Sequence, residues 1–203
     1  MIRSKKVQDV ETQWLINARS GDAQSFGRLV DAYQTPVYNL CYRMLGDHYE
    51  AEDAAQEVFL RAYKSMDRYD PQRPFSTWIL SIAAHYCIDL IRKRRMKTVS
   101  IDELPYQQIT DHSPQPETAL SNREREEQVR VLLDSLSADD RAAVVMRYWY
   151  DFSYEEIAAA LNLSVSAVKS RLHRARQTLA DRWTKHSLNP QSLERTRNES
   201  PAF

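Results

Sequence analysis

Apolar side chains along this chain recur every three to four residues, and the runs are broken at a few Gly, Pro, Asn and Ser positions. That is the period of amphipathic helices; the two-residue alternation of strands is scarce. The pattern predicts a first helix over about Val10–Ser20, stopped at Gly21, and a second over Ala23–Tyr33 with Phe26, Leu29, Val30 and Tyr33 on its apolar side. Pro36 is expected to open a third, carrying Val37, Leu40, Cys41 and Met44 and closed by Gly46. Proline suits a first helical turn, and glycine suits the position just past the last. A fourth helix covers about Glu50–Met66. After the turn-rich stretch Asp67–Pro74, a long helix follows over Ser76–Lys97, with Ile79, Leu80, Ala83, Tyr86, Cys87, Leu90 and Ile91 on one side.

Residues 98–125 change character, with Pro105, Pro114 and Pro116 and little periodicity. They read as an extended acidic linker. Beyond it, helices are expected over Glu126–Leu136 and, capped by Ser137, over Ala138–Tyr150. Ser153 and Glu156 then form a capping box, in which hydroxyl and carboxylate satisfy each other's backbone donors. Ile157, Ala158 and Leu161 stripe the helix it starts, Asn162 ends it in a left-handed turn, and Ser164 caps the next. Val165, Val168, Leu172, Ala175 and Leu179 share one side of that last helix. Residues 186–203 read as a disordered polar tail. The expectation is an all-α protein of two small helical domains, 1–97 and 126–185, joined by the linker.

Lys plus Arg and Asp plus Glu both number 28, so the formal charge is zero. That total hides a segregation. Residues 126–160 hold three basic and eight acidic side chains, whereas 164–185 hold six basic and one acidic. A second basic run, Arg92-Lys93-Arg94-Arg95, ends the first half. Fields fade over about 8 Å at physiological salt, so these patches matter more than the sum. Cys41 and Cys87 sit at apolar helix positions and are expected as buried free thiols. The five His show no metal-ligand spacing with Cys or acids, and no apolar run is long enough to span a bilayer. No Gly-rich phosphate loop or nucleophile–base motif is present. These readings favour a non-enzymatic cytoplasmic protein without metal, cofactor or membrane insertion.

The candidate chemistry follows from the charge pattern. The last helix presents Ser166, Ser170, His173, Arg174 and Gln177 opposite its apolar side, flanked by Lys169, Arg171 and Arg176. A helix in a major groove needs base-reading donors at its crest and cations beside it for phosphates. On the long helix of the first half, Trp78, Ser81, His85, Asp89 and Arg92 lie on the polar side. An aromatic beside cations is a stacking platform for unpaired bases. The loop Tyr69–Phe75 just before it is placed to hold a base turned out of the stack. Asp53, Gln56 and Glu57 form a polar ridge suited to a partner.

Taken in order, DAAQEVFLRAY, YDPQRPFSTWILSIAAHYCIDLIRKRR and LSADDRAAVVMRYWYDFSYEEIAAALNLSVSAVKSRLHRAR resemble group 4, or extracytoplasmic-function, RNA polymerase sigma factors of the sigma-70 family. The resemblance covers about residues 10–185. It implies that Asp53, Gln56 and Glu57 contact core polymerase, which the family meets at its β′ clamp and β flap. It implies that Phe75, Trp78, His85, Arg92, Lys93, Arg94 and Arg95 engage the −10 promoter element. Ser166, Lys169, Ser170, Arg171, His173, Arg174 and Arg176 would then dock on the −35 element. It also implies a linker threading through polymerase, an anti-sigma partner and a monomer when free. His85 stands where many relatives have Asn, Ser166-Ala167 where many have Gly-Thr, and Asn162 where many have Gly. The other reading is a conventional helix-turn-helix regulator with an N-terminal sensing or dimerisation domain.

Overall fold

The computed structural model describes residues 5–100 and 117–187, with side chains described over 10–96 and 125–184. Eight α-helices and no strand occur among the described residues: α1 Lys5–Arg19, α2 Ala23–Leu45, α3 His48–Lys64, α4 Phe75–Ser100, α5 Glu117–Asp134, α6 Ala138–Trp149, α7 Tyr154–Leu161 and α8 Val165–Ser187. A single 3₁₀ turn, Met66–Arg68, follows α3. Local capping fixes most boundaries. Asp22 accepts from the amides of Gln24 and Ser25, and Asp47 from that of Glu50, so α2 and α3 each begin on a carboxylate. Hydrogen bonding from Ser25 holds the Asp22 carboxyl below its ordinary range. Gly46 ends α2 at φ 75°, and its amide bonds to the Tyr42 carbonyl.

Two expectations are corrected. Pro36 does not open a new helix; it lies inside α2, which runs unbroken from Ala23 to Leu45. Leu29, Tyr33, Val37, Leu40, Cys41 and Met44 continue one buried face straight past it. Packing of that face on α3 and α4 outweighs the cost of one lost backbone bond. The expected linker is also shorter at both ends, because α4 reaches Ser100 and α5 begins at Glu117. Its core, 101–116, and most of the expected tail lie outside the described residues, while α8 itself extends to Ser187.

α1–α4 form one bundle, with α2 packed against α1, α3 and α4. α6, α7 and α8 pack together as a second unit. The two share one continuous apolar core, since α6 lies on both α2 and α4, and α7 also lies on α4. Cys41 and Cys87 are buried free thiols of the first bundle, and the neighbouring Cys41 thiol together with burial pushes the Cys87 thiol up.

The junction is polar at three points. Arg141, only 5% exposed, donates from Nη1 to the Met44 carbonyl at 2.6 Å and to Asp134 Oδ1 at 2.8 Å. Met44 lies in the last turn of α2, whose carbonyls have no partners within the helix, so a cation from the other unit completes it. Tyr150 donates to the Pro36 carbonyl at 2.5 Å, and burial pushes its hydroxyl pKa up. Arg92 Nη2 reaches both oxygens of Asp139 at 3.0 and 2.9 Å.

These contacts set an expected order of costs. Arg141→Ala leaves a buried carbonyl unmet while half-exposed Asp134 stays hydrated, so the loss should be about 1–3 kcal/mol. Removing the exposed Arg92–Asp139 pair should cost under about 1 kcal/mol. Urea unfolding of Arg141→Ala and Asp139→Asn checks this, and equal midpoints for the two variants would contradict it.

Candidate nucleic-acid interface

The α7–α8 unit is a helix-turn-helix set by local chemistry. The Ser153 amide donates to Glu156 Oε2 at 2.8 Å and the Glu156 amide to Ser153 Oγ at 3.1 Å, completing the capping box. Asn162 is left-handed, at φ 54° and ψ 47°, and the Leu163 amide bonds back to the Ala158 carbonyl at 2.9 Å. Ser164 Oγ then accepts from the Ala167 amide at 3.2 Å and starts α8. Val168, Leu172 and Ala175 are buried, so Ser166, Lys169, Ser170, His173, Arg174 and Arg176 are left exposed. Arg171 is half-buried.

Four of the α8 cations have defined partners that the periodicity did not reveal. Lys169 Nζ sits 5.8 Å from the Tyr154 ring centre, and Arg147 covers the same ring at 5.6 Å. The Tyr148 hydroxyl, and after it that of Tyr154, pushes the Arg176 pKa up. Arg171 and Arg174 both reach Asp140 on α6. Tyr148, Tyr154 and Asp140 are therefore part of the site. No spacing along α8 could have found them, because each comes from another helix.

The face on α4 is built around a stack of rings. Trp78 lies 5.2 Å from Tyr69 and 5.5 Å from Phe75, measured between ring centres. Phe75 is 3% exposed and also packs edge-on against Tyr33. It offers no face of its own and instead supports the half-exposed Trp78. The preceding loop is pinned, since the Tyr69 hydroxyl donates to the Arg73 carbonyl at 2.6 Å and Asp70 Oδ1 accepts from the Gln72 amide at 3.0 Å. His85, one helical turn past Ser81, bonds through Nδ1 to the Ser81 carbonyl at 2.9 Å. A carbonyl only accepts, so Nδ1 carries a proton in this contact. Arg92, Lys93, Arg94 and Arg95 all lie exposed at the far end. Arg92 is bound to Asp139 and Arg94 forms an ion pair with Glu50.

On α3, Asp53 and Gln56 are exposed, whereas Glu57 is half-buried and accepts from Arg61 at 2.8 Å. Arg61 in turn covers the Tyr86 ring at 4.5 Å. Gln56 lines an open groove of about 380 Å³ between α2 and α3, with Val30, Gln34, Tyr38, Glu52 and Phe59. The ridge thus has two exposed side chains and a third, partly exposed, tied to Arg61.

Residues 29–96 match the family described as Sigma-70 region 2, and residues 126–179 that described as Sigma-70, region 4. The ECF RNA polymerase sigma factor SigW of Bacillus subtilis is 38% identical over 168 residues, which is 79% of this chain and 90% of that protein. The ECF RNA polymerase sigma factor SigE of Mycolicibacterium smegmatis is 36% identical over 164 residues, covering 80% of this chain and 63% of the relative. The structure of CnrH in complex with the cytosolic domain of CnrY matches with a TM-score of 0.66 at 25% identity, over 87% of this chain and 99% of that one. The sigma factor RpoE in complex with the anti-sigma factor NepR from Bartonella quintana matches at 0.62 and 22% identity, over 78% and 96%, a likeness of fold alone. The chain belongs to the group 4, extracytoplasmic-function family of sigma-70 factors, and it directs RNA polymerase to promoters. A conventional helix-turn-helix regulator would not carry the region 2 match, so that reading is set aside. No helix among the described residues is long and apolar enough to cross a membrane.

The two aromatic positions should separate on mutation. Phe75→Ala should destabilise the fold by about 3–5 kcal/mol, as expected for a buried ring. Trp78→Ala should cost less in stability and more in promoter opening. Thermal unfolding paired with permanganate footprinting of open complexes compares them; matched losses in both assays would undo the distinction.

Proposed function

We propose that the two units divide promoter recognition between them. The α4 face, with Trp78, His85 and Arg92–Arg95 above the pinned loop, engages the −10 element and favours strand separation. α8 docks in the major groove of the −35 element through Ser166, Lys169, Ser170, Arg171, His173, Arg174 and Arg176. Asp53, Gln56 and Glu57 with the α2–α3 groove meet the polymerase β′ clamp, and the second unit meets the β flap. The chain supplies recognition and no catalysis, which belongs to polymerase. An anti-sigma factor binding these faces is the expected regulator, and the cytoplasm is the expected location. The observation that carries this reading is the presence in one chain of an aromatic-led basic face on α4 and a separate basic recognition helix, α8.

The packed arrangement sets a condition on that function. Elements named −35 and −10 lie about 25 base pairs apart, roughly 85 Å of duplex at 3.4 Å each. A compact body of this size has a radius of gyration of only about 15 Å. Both elements are therefore out of reach until the α2/α4 and α6/α7 surfaces part. The stretch 101–116 extends to about 55 Å at most, which permits such a separation. Polymerase, holding both units, then converts two weak sites into one strong one.

Reconstitution with core polymerase tests this. Arg174→Ala should reduce −35-dependent transcription by the equivalent of about 1–3 kcal/mol, the range for a bidentate Arg–guanine contact. Gln56→Ala combined with Asp53→Ala should weaken core binding with no change in unfolding. Wild-type transcription from the first variant and wild-type core affinity in the second would refute the respective assignments. Tight sequence-specific promoter binding by the free chain would count against the whole scheme.

A further inference from the structure

Asp140 occupies the third residue of α6, the position from which a Glu or Gln reaches back to the N-cap amide in a capping box. Glu156 does this at the start of α7. Asp140 does not take that role, although its own amide donates to Ser137 Oγ at 3.2 Å in the usual way. Its carboxylate instead crosses to α8, where Oδ1 accepts from Arg171 Nη1 at 3.0 Å and lies 3.5 Å from Arg174 Nη2. Side-chain exposures are 14% for Asp140, 25% for Arg171 and 60% for Arg174. The pair with Arg171 is thus sheltered and hydrogen-bonded, while Arg174 stands at the surface within ion-pair distance of the same carboxylate oxygen.

This grading of exposure separates the roles of the two arginines. Arg171 anchors the carboxylate, and the carboxylate orients Arg174. A guanidinium has five donors in a rigid fork, so a carboxylate fixed beside one of its nitrogens biases the direction of the others. A bidentate contact to a guanine edge requires that direction to be set before binding. The carboxylate has a second effect, because a negative charge beside the reading helix disfavours phosphate from any sequence. Indiscriminate attraction is lowered while the oriented contact is kept, and discrimination rises on both counts.

We propose that Asp140 is a positioning residue for promoter reading, acting through Arg171 to aim Arg174 and lowering non-specific attraction at α8. The inference rests on the assignment of α8 to the −35 element. The test uses holoenzyme and a promoter drawn from a library on which it initiates, with the −35 element either intact or scrambled and the −10 element unchanged. Asp140→Asn should reduce the ratio of intact to scrambled transcription about tenfold. It should also steepen the salt dependence of binding to scrambled DNA by about 0.9 in log–log slope, as one more cation becomes available. Asp140→Glu should restore most of both. In an Arg174→Ala background, Asp140→Asn should change the ratio little further, since coupled residues are non-additive. A merely structural Asp140 would lower the unfolding temperature and leave ratio and slope at wild-type values, and that result overturns the proposal. If Arg174→Ala impairs the ratio and Asp140→Asn does not, the positioning role alone fails. If Arg174→Ala leaves the ratio intact, the assignment of α8 fails and takes this inference with it.

Discussion

A cation from one unit completes the last helical turn of the other, and the arrangement of the described chain depends on that contact. The Met44 carbonyl at the end of α2 has no partner within its own helix, and Arg141 supplies one across the junction. Burial pushes the Arg141 guanidinium pKa down, and Asp134 opposes that shift. Its Nε is buried without a partner among the described residues, a cost of about 1–3 kcal/mol that the surrounding packing must offset. Gly46 sits at the same place for a related reason. Its positive φ suits glycine, and a Cβ there would meet the Arg130 stem of α5 at 3.3 Å. Helix ending and inter-unit contact thus share a few residues.

Features decided within four or five residues were legible in the sequence. The Ser153–Glu156 box, the left-handed Asn162 and the Ser164 cap all stand where the pattern put them, because each is a bond between near neighbours. The all-helical class and the buried thiols followed from periodicity for the same reason. The local meaning of Pro36, a helix start, is overruled by the packing of the whole of α2 on α3 and α4. The early start of α5 escaped because residues 117–125 lack an apolar stripe. Phe75 shows a different limit. Sequence marks a ring near a basic helix but not which of two neighbouring rings is the core and which the surface. Tyr33 and Tyr69 decide that.

The recognition helix illustrates how a basic surface avoids being merely adhesive. Cations on a long solvated stem wander, and a wandering cation binds any phosphate. Here the Tyr154 ring holds Lys169, and the Asp140 carboxylate meets Arg171 and Arg174. α6 and α7 supply all of these supports. The shortest helices of the fold therefore do more than carry α8. They also fix where its cations stand.

The Arg92–Asp139 pair has a thermodynamic consequence. Asp139 and a promoter phosphate would compete for one guanidinium, so closure of the two units and nucleic-acid binding at α4 are linked equilibria. Linkage is reciprocal: by whatever factor the closed arrangement weakens binding at α4, a strand bound there must destabilise closure by the same factor. DNA at this face would then be both ligand and wedge, and an adjacent pair of aspartates, one turned to each basic surface, would make the start of α6 the balance point between them.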